Sequence, residues 1–166
     1  MPEDEILDLV NKEGGVIGQA TKAECHSNPE LIHRTVHFTL VNKDKGRILF
    51  TKRSSNKKHD PGMNVFLGEH ILSGESFVDG VIRGVEEELG FRPGEFVELA
   101  THIFEYDTQT EYVKFFGVIY GGEDISFDRE EIDNVWWIDL EDLKGYHENI
   151  SDMTQYWIDN VDWNEI

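Results

Sequence analysis

Basic residues are scarce in this chain of 166 residues: 15 lysines and arginines stand against 34 aspartates and glutamates, a formal charge of −19 at pH 7. Duplex binding depends on phosphate neutralisation by lysine and arginine, so nucleic acid is not expected as a partner. A small anionic substrate would need a local basic patch or a metal ion. Cysteine is limited to Cys25, which excludes an intramolecular disulfide framework and alone assigns no nucleophile. No apolar run approaches the ~20 residues of a membrane span, and the N-terminal residues lack the basic and apolar regions of a signal peptide. The expected setting is cytoplasmic, with no membrane partner. Internal repeats, low-complexity segments and linkers are lacking too.

What is present argues for one folded domain over residues 1–166. Hydrophobic residues make up 39%, with ten phenylalanines, five tyrosines and four tryptophans, enough for one substantial core and too little chain for a second. Alternating apolar residues from Glu5 to Val10, a turn at Gly14-Gly15 and an extended Val16-Ile17-Gly18 predict an N-terminal hairpin at about 5–20. A helical turn over Thr21 to Glu24 leads to Pro29. Strands are then expected over Ile32–Val41 and Arg47–Thr51, antiparallel across a turn at Asn42 to Gly46. Further strands are expected over Phe96–Ile103, Glu111–Tyr120 and Val135–Ile138, with helices over Leu140–Leu143 and Asn149–Val161. The tryptophans are expected in the core.

The segment Gly68 to Phe91, G-E-H-I-L-S-G-E-S-F-V-D-G-V-I-R-G-V-E-E-E-L-G-F, is the stretch dense in ordered chemistry. Ser76 followed by Asp79 predicts a helix start, Gly90 its end, and Val78, Ile82, Val85 and Leu89 a buried stripe. That leaves Asp79, Arg83 and Glu87 on another face, with Glu88 beside Glu87 and Glu75 ahead of the helix. Three consecutive glutamates alone would read as a solvated face. Carboxylates clustered around one arginine, however, are natural ligands for a divalent cation such as Mg²⁺, which takes one or two carboxylates together with phosphate oxygens. Lys52, Arg53, Lys57 and Lys58 concentrate positive charge just upstream. They read either as a solvated loop or as a diphosphate-binding wall.

Glu75, Arg83, Glu87, Glu88 and Gly90 stand at the spacings of the Nudix box, G-x5-E-x7-R-E-U-x-E-E-x-G-U, where U is a bulky aliphatic residue. Val85 and Phe91 occupy the U positions, and the chain resembles this superfamily. Two positions depart: Glu69 stands at the opening glycine and Gly84 at the glutamate after the arginine, which in many family hydrolases binds metal or acts as the base. His33-Arg34, Lys52-Arg53 and Lys57-Lys58 before Pro61-Gly62 also resemble the isopentenyl-diphosphate isomerase-like branch, over about Asp4 to Leu143. Gly68, however, stands where those isomerases carry a catalytic cysteine. His33 and His70 match two histidines of their metal site; at that site Gln109 replaces one glutamate and Glu111 remains. Without a complete ligand set, the two histidines read first as hydrogen-bonded structural imidazoles.

The resemblance implies an α/β fold, the Nudix α/β/α sandwich with a mixed β-sheet, its box over 68–91. It implies a pyrophosphohydrolase dependent on Mg²⁺ or Mn²⁺ that cleaves a nucleoside diphosphate linked to another moiety, or a related diphosphate. Glu87 and Glu88 would hold metal, completed by Glu130 or Glu131 from the loop before the next strand. Glu75 and Arg83 would order the catalytic loop and helix. The expected partner is a small-molecule diphosphate, with a homodimer left open. Isomerase-like activity and a non-catalytic nucleotide-binding module are the alternatives. For Gly84, three accounts stand open: another carboxylate has taken over (Glu86, Glu111, Glu130 or Glu131), the site is slow, or the space admits a substrate group. Restoring a glutamate there would raise kcat by about 10²-fold if only a base were missing.

Overall fold

The computed structural model describes residues 4–166, so of the domain expected over 1–166 the first three residues lie outside the description. The N-terminal hairpin is β1 (Ile6–Val10) and β2 (Val16–Thr21), followed by a one-turn helix, α1 (Lys22–Cys25), capped by Thr21 and Glu24. The long central strand is β3 (Ile32–Asn42), and β4 (Arg47–Arg53) turns back from it. These two pair only at Val41–Ile48 and Asn42–Arg47 before they separate. The short strands β5 (Asn64–Val65) and β6 (Leu67–His70) then run beside β4 and β3 respectively. The sheet therefore forks. Strand β6 was not among the strands expected from the sequence.

The box helix α2 (Phe77–Leu89) starts at Ser76, whose hydroxyl accepts from the Asp79 amide while the Asp79 carboxylate accepts from Ser76, and it ends at Gly90 with φ 77°. Strands β7 (Phe96–Glu105) and β8 (Thr110–Ile119) form a hairpin, and β8 lies parallel to β3 over ten positions. Strand β9 (Ile132–Asp139) pairs antiparallel with β4; α3 (Leu140–Leu143) and α4 (Asp152–Asn160) follow. One parallel pairing among antiparallel ones makes the sheet mixed, as expected.

Alternation along β3 sends Val36, Phe38 and Leu40 to one face and Thr35, His37 and Thr39 to the other. The first set packs with Val81, Val85 and Leu89 of α2. Beyond the opposite face, Phe115 and Val113 pack with Trp157 and Ile158 of α4. Helices on both faces give the α/β/α sandwich. The α2 stripe is rotated from the one expected, because Val78 is exposed and Gly80, Val81 and Gly84 are buried instead. Two glycines one turn apart let the helix backbone settle against the sheet. The apolar side chains around them were therefore a poor guide to its inward face.

Candidate active site

Arg83 is the hub of the box. Its Nε and Nη2 donate to the two oxygens of Glu75 at 3.1 and 3.0 Å, Nη2 also donates to the His70 carbonyl at 2.7 Å, and Nη1 donates to Glu69 at 3.1 Å. A third Glu75 contact, from the Leu72 amide at 3.0 Å, ties the loop to the helix. This fork holds β6, the loop and α2 in one register. The loop is held from behind as well: Asp8, paired with Arg34 at 3.0 Å, accepts from the Ser73 hydroxyl and the Gly74 amide.

The rotation of α2 separates the two glutamates expected to bind metal. Glu87 is exposed and only 3.9 Å from Arg83, whereas Glu88 is half-buried, on the inward side with Gly84 one turn earlier. Burial first, and then the carboxylates of Glu69, Glu131 and Asp128, push the Glu88 carboxyl up to about 8, with Lys57 opposing. Of the two loop candidates, Glu131 faces this cluster and pairs with Lys57 at 2.5 Å, while Glu130 is exposed. Asp128 and Glu69 are members that sequence reasoning missed. Asp128 is carried in by its amide bond to the Glu88 carbonyl at 3.2 Å, a contact with no local signature.

Of the basic residues, Lys57 reaches the carboxylates and Arg53 lines the neighbouring cleft, its Nε donating to the His59 carbonyl at 2.6 Å. Lys52 and Lys58 are exposed, and no described contact joins them to the site. The cleft has a volume of about 420 Å³ and is bordered by Arg53 of β4, Val65 of β5, and Gly68, Glu69 and His70 of β6, the strands that flank the fork.

On the sheet face opposite α2, His26, His33 and His70 bring one ring nitrogen each to within 4.8 Å of one another. Glu111, paired in register with His33, puts its Oε1 3.5 Å from His33 Nε2. His33 is fully buried, and neither ring nitrogen has a hydrogen-bond partner. Two orphaned imidazole nitrogens beside a carboxylate and two further imidazoles fit a transition-metal cation better than a structural histidine. Burial would raise the Glu111 carboxyl, but the surrounding His33, His70 and His37 outweigh it and hold it at about 2. His70 is pushed down to about 3 by burial, which keeps its imidazole unprotonated near neutral pH. His26 was missed because it caps the end of α1, outside the box, and only its spacing of seven residues from His33 hinted at a pair.

Matching against family models places residues 31–157 in the NUDIX domain family. The chain belongs to the Nudix family. An uncharacterized Nudix hydrolase of Yersinia pestis is 29% identical over 140 residues, covering 84% of this chain and 75% of that protein. An isopentenyl-diphosphate Delta-isomerase of Paenarthrobacter aurescens is 36% identical over 108 residues, covering 64% of this chain and 57% of the relative. A crystal structure from Deinococcus radiodurans superposes with a TM-score of 0.76 at 23% identity, covering 93% of this chain and 98% of that one. The chain spans about half the length of several curated relatives it matches. Relatives of this Nudix protein are named both as Nudix hydrolases and as isopentenyl-diphosphate isomerases.

The titration of the box carboxylates makes a testable demand. Burial first, then Glu87 and Glu131, lift Glu69 to about 7, against the opposing pull of Arg83; with Glu88 at about 8, both lie above their ordinary 4.5. Between those values the folded state holds protons that the unfolded chain has released, so stability falls as pH rises through this range. His37 and His70 act in the opposite sense, but only below their ordinary 6.5, above which they are neutral in both states. The metal-free protein is therefore expected to melt at a lower temperature near pH ~8.5 than near ~6.5, and Mg²⁺ should restore more stability at the higher pH. Calorimetric melts with and without EDTA would show it; a metal-free midpoint that is flat or rising over this range would contradict it.

Proposed function

We propose that this Nudix protein is a divalent-metal-dependent pyrophosphohydrolase that cleaves a small diphosphate, such as a nucleoside diphosphate linked to another moiety, by attack of water at phosphorus. The observation that carries this reading is Glu88, a half-buried carboxylate raised to about 8 among Glu69, Glu131 and Asp128, an arrangement whose repulsion a cation relieves. Glu88 and Glu131 would hold Mg²⁺ or Mn²⁺, with Glu87 at the exposed rim. When bound, such an ion neutralises phosphate charge and acidifies coordinated water. Arg83 fixes the carboxylates, Lys57 receives phosphate oxygens beside Glu131, and Arg53 receives them at the cleft. No helix among the described residues is long and apolar enough to cross a membrane, and a cytoplasmic setting suits a free small-molecule substrate.

Incubation of the purified chain with Mg²⁺ and a panel of nucleotide and isoprenoid diphosphates, read by product mass, tests the reading. Hydrolysis of at least one nucleotide diphosphate supports it; no hydrolysis of any, with tight nucleotide binding, would select a binding module instead. Lys57→Ala is expected to raise KM for the substrate found more than it lowers kcat, as loss of uniform phosphate binding does, and Lys58→Ala to change neither. An unchanged KM in Lys57→Ala would return the loop to a solvated role.

The histidine cluster favours a second reading, since relatives of this chain are named isopentenyl-diphosphate isomerases. His26, His33, His70 and Glu111 would hold a transition metal there. Against proton transfer at carbon stands Gly68, at the position of the isomerase cysteine: a Cβ on Gly68 would come 2.8 Å from His37 Cδ2. His37 is locked in place, its Nδ1 accepting from Trp157 Nε1 at 2.8 Å, and burial pushes it down to about 4. The imidazole fills the room a cysteine side chain would need. Incubation with isopentenyl diphosphate should leave the substrate without an isomeric product of equal mass.

A further inference from the structure

We propose that His37 sets the specificity of the cleft: its Nε2–H, laid over Gly68, donates to an uncharged hydrogen-bond acceptor on the organic moiety of the diphosphate substrate, so that the diphosphate of a bare hydrocarbon is disfavoured. The proposal rests on the reading of the cleft as a diphosphate site and names the group there that selects the other half of the substrate.

The donor is fixed by what lies behind it. His37 is nine-tenths buried and Trp157 fully so, and His37 Nδ1 accepts from Trp157 Nε1 at 2.8 Å. An indole N–H only donates, so Nδ1 carries no proton, and a neutral ring must then carry its proton on Nε2. Burial keeps the ring neutral by pushing it down to about 4, against the opposing pull of Glu111. Phe104 and Trp157 pack against the imidazole, their ring centroids 6.2 and 6.1 Å away, and leave it little freedom to turn.

The other edge of the ring faces the cleft. His37 pairs with Gly68 across β3 and β6, and both residues line the cleft. A Cβ at Gly68 would lie 2.8 Å from His37 Cδ2 and 3.3 Å from Nε2, so a side chain there would cover this edge, which glycine leaves bare. No described residue accepts from Nε2. A donor held in so dry a place discriminates between ligands by whether they offer it an acceptor. Val65, Phe66 and Met153 give the cleft apolar walls that suit an organic moiety. The guanidinium enters from elsewhere: the Arg53 amide donates to the Met63 carbonyl at 2.8 Å, and from Met63 to Gly68 is roughly 16 Å of extended chain. Phosphates therefore lie toward Arg53, and the neutral donor meets the uncharged part of the substrate.

Nuclear magnetic resonance of the ¹⁵N-histidine-labelled chain at neutral pH, in EDTA so that nothing turns over, tests this with ADP, CDP, GDP and UDP against isopentenyl diphosphate. The free protein should show His37 as the Nε2–H tautomer, and at least one nucleoside diphosphate should shift that signal while isopentenyl diphosphate leaves it in place. His37→Asn keeps an oxygen near the Nδ1 position for Trp157 but loses the donor. It should weaken the Kd of that nucleotide by at least ~10-fold and leave the Kd of isopentenyl diphosphate unchanged. His37→Gln, whose amide N–H reaches the Nε2 position, should recover part of the loss. An Nδ1–H tautomer, a nucleotide that binds without moving the His37 signal, an equal shift with isopentenyl diphosphate, or an equal loss of both ligands in His37→Asn would overturn the proposal and leave the cleft a diphosphate site. Binding of no diphosphate of either kind would overturn that reading of the cleft, and the proposal with it.

Discussion

Glu88→Gln is expected to lower kcat for Mg²⁺-dependent diphosphate hydrolysis by roughly 10³-fold, because loss of a metal-holding carboxylate removes several kcal/mol of transition-state charge stabilisation. The same substitution should raise, not lower, the metal-free melting temperature near pH ~8.5. The native carboxyl, raised to about 8 by burial and by Glu69, Glu131 and Asp128, ionises there at the expense of the fold. Loss of activity with a gain in stability marks a residue kept for function rather than packing. Glu87→Gln should have a smaller effect, since Glu87 is exposed and lies beside Arg83. Activity at the wild-type level in Glu88→Gln would remove the residue from the site.

Gly84→Glu is the second large effect, and its direction reverses the simplest expectation from the sequence. Restoring the glutamate of the family pattern would raise activity if position 84 were empty. Instead Glu69 Cγ and the Phe38 ring stand 2.8 Å from where the Cβ would be, and Phe38 is fully buried. Overpacking of this kind costs about 1–3 kcal/mol, which for a chain of this size lowers the melting temperature by roughly 2–12 °C. Displacing Glu69 would also break its bond to Arg83, which ties β6 to α2, so kcat/KM should fall as well. Gly84→Ala separates sterics from charge: alanine gains about 1 kcal/mol of helix propensity, yet the variant should be less stable than wild type. A Gly84→Ala protein that melts higher, with unchanged activity, would show that the notch is slack.

Much of the fold was legible in the chain because its signals are local. The Ser76–Asp79 capping box, the Gly90 terminus and the alternation of β3 each specify structure within a few residues, and each stands where expected. The inward face of α2 was not legible, because glycine carries no hydropathy signal and the close approach at Gly80 and Gly84 is set by Ile71, Phe38 and Glu69 from elsewhere. The choice between Glu130 and Glu131 turned on the loop backbone, where the Glu131 carbonyl accepts from the Ser54 amide at 2.9 Å and its side chain meets Lys57. Glu69 read as a departure from a motif when taken one position at a time. Beside Gly84, the two departures describe one exchange of volume between strand and helix.

Hydrolysis in water enriched in ¹⁸O, with the best diphosphate substrate and Mg²⁺, tests the central claim most directly. The expected result is one ¹⁸O atom in one phosphoryl product, abolished by EDTA and reduced to background in Glu88→Gln. A product isomeric with the substrate and free of label, or labelled phosphate formed at an undiminished rate by Glu88→Gln, would contradict the account.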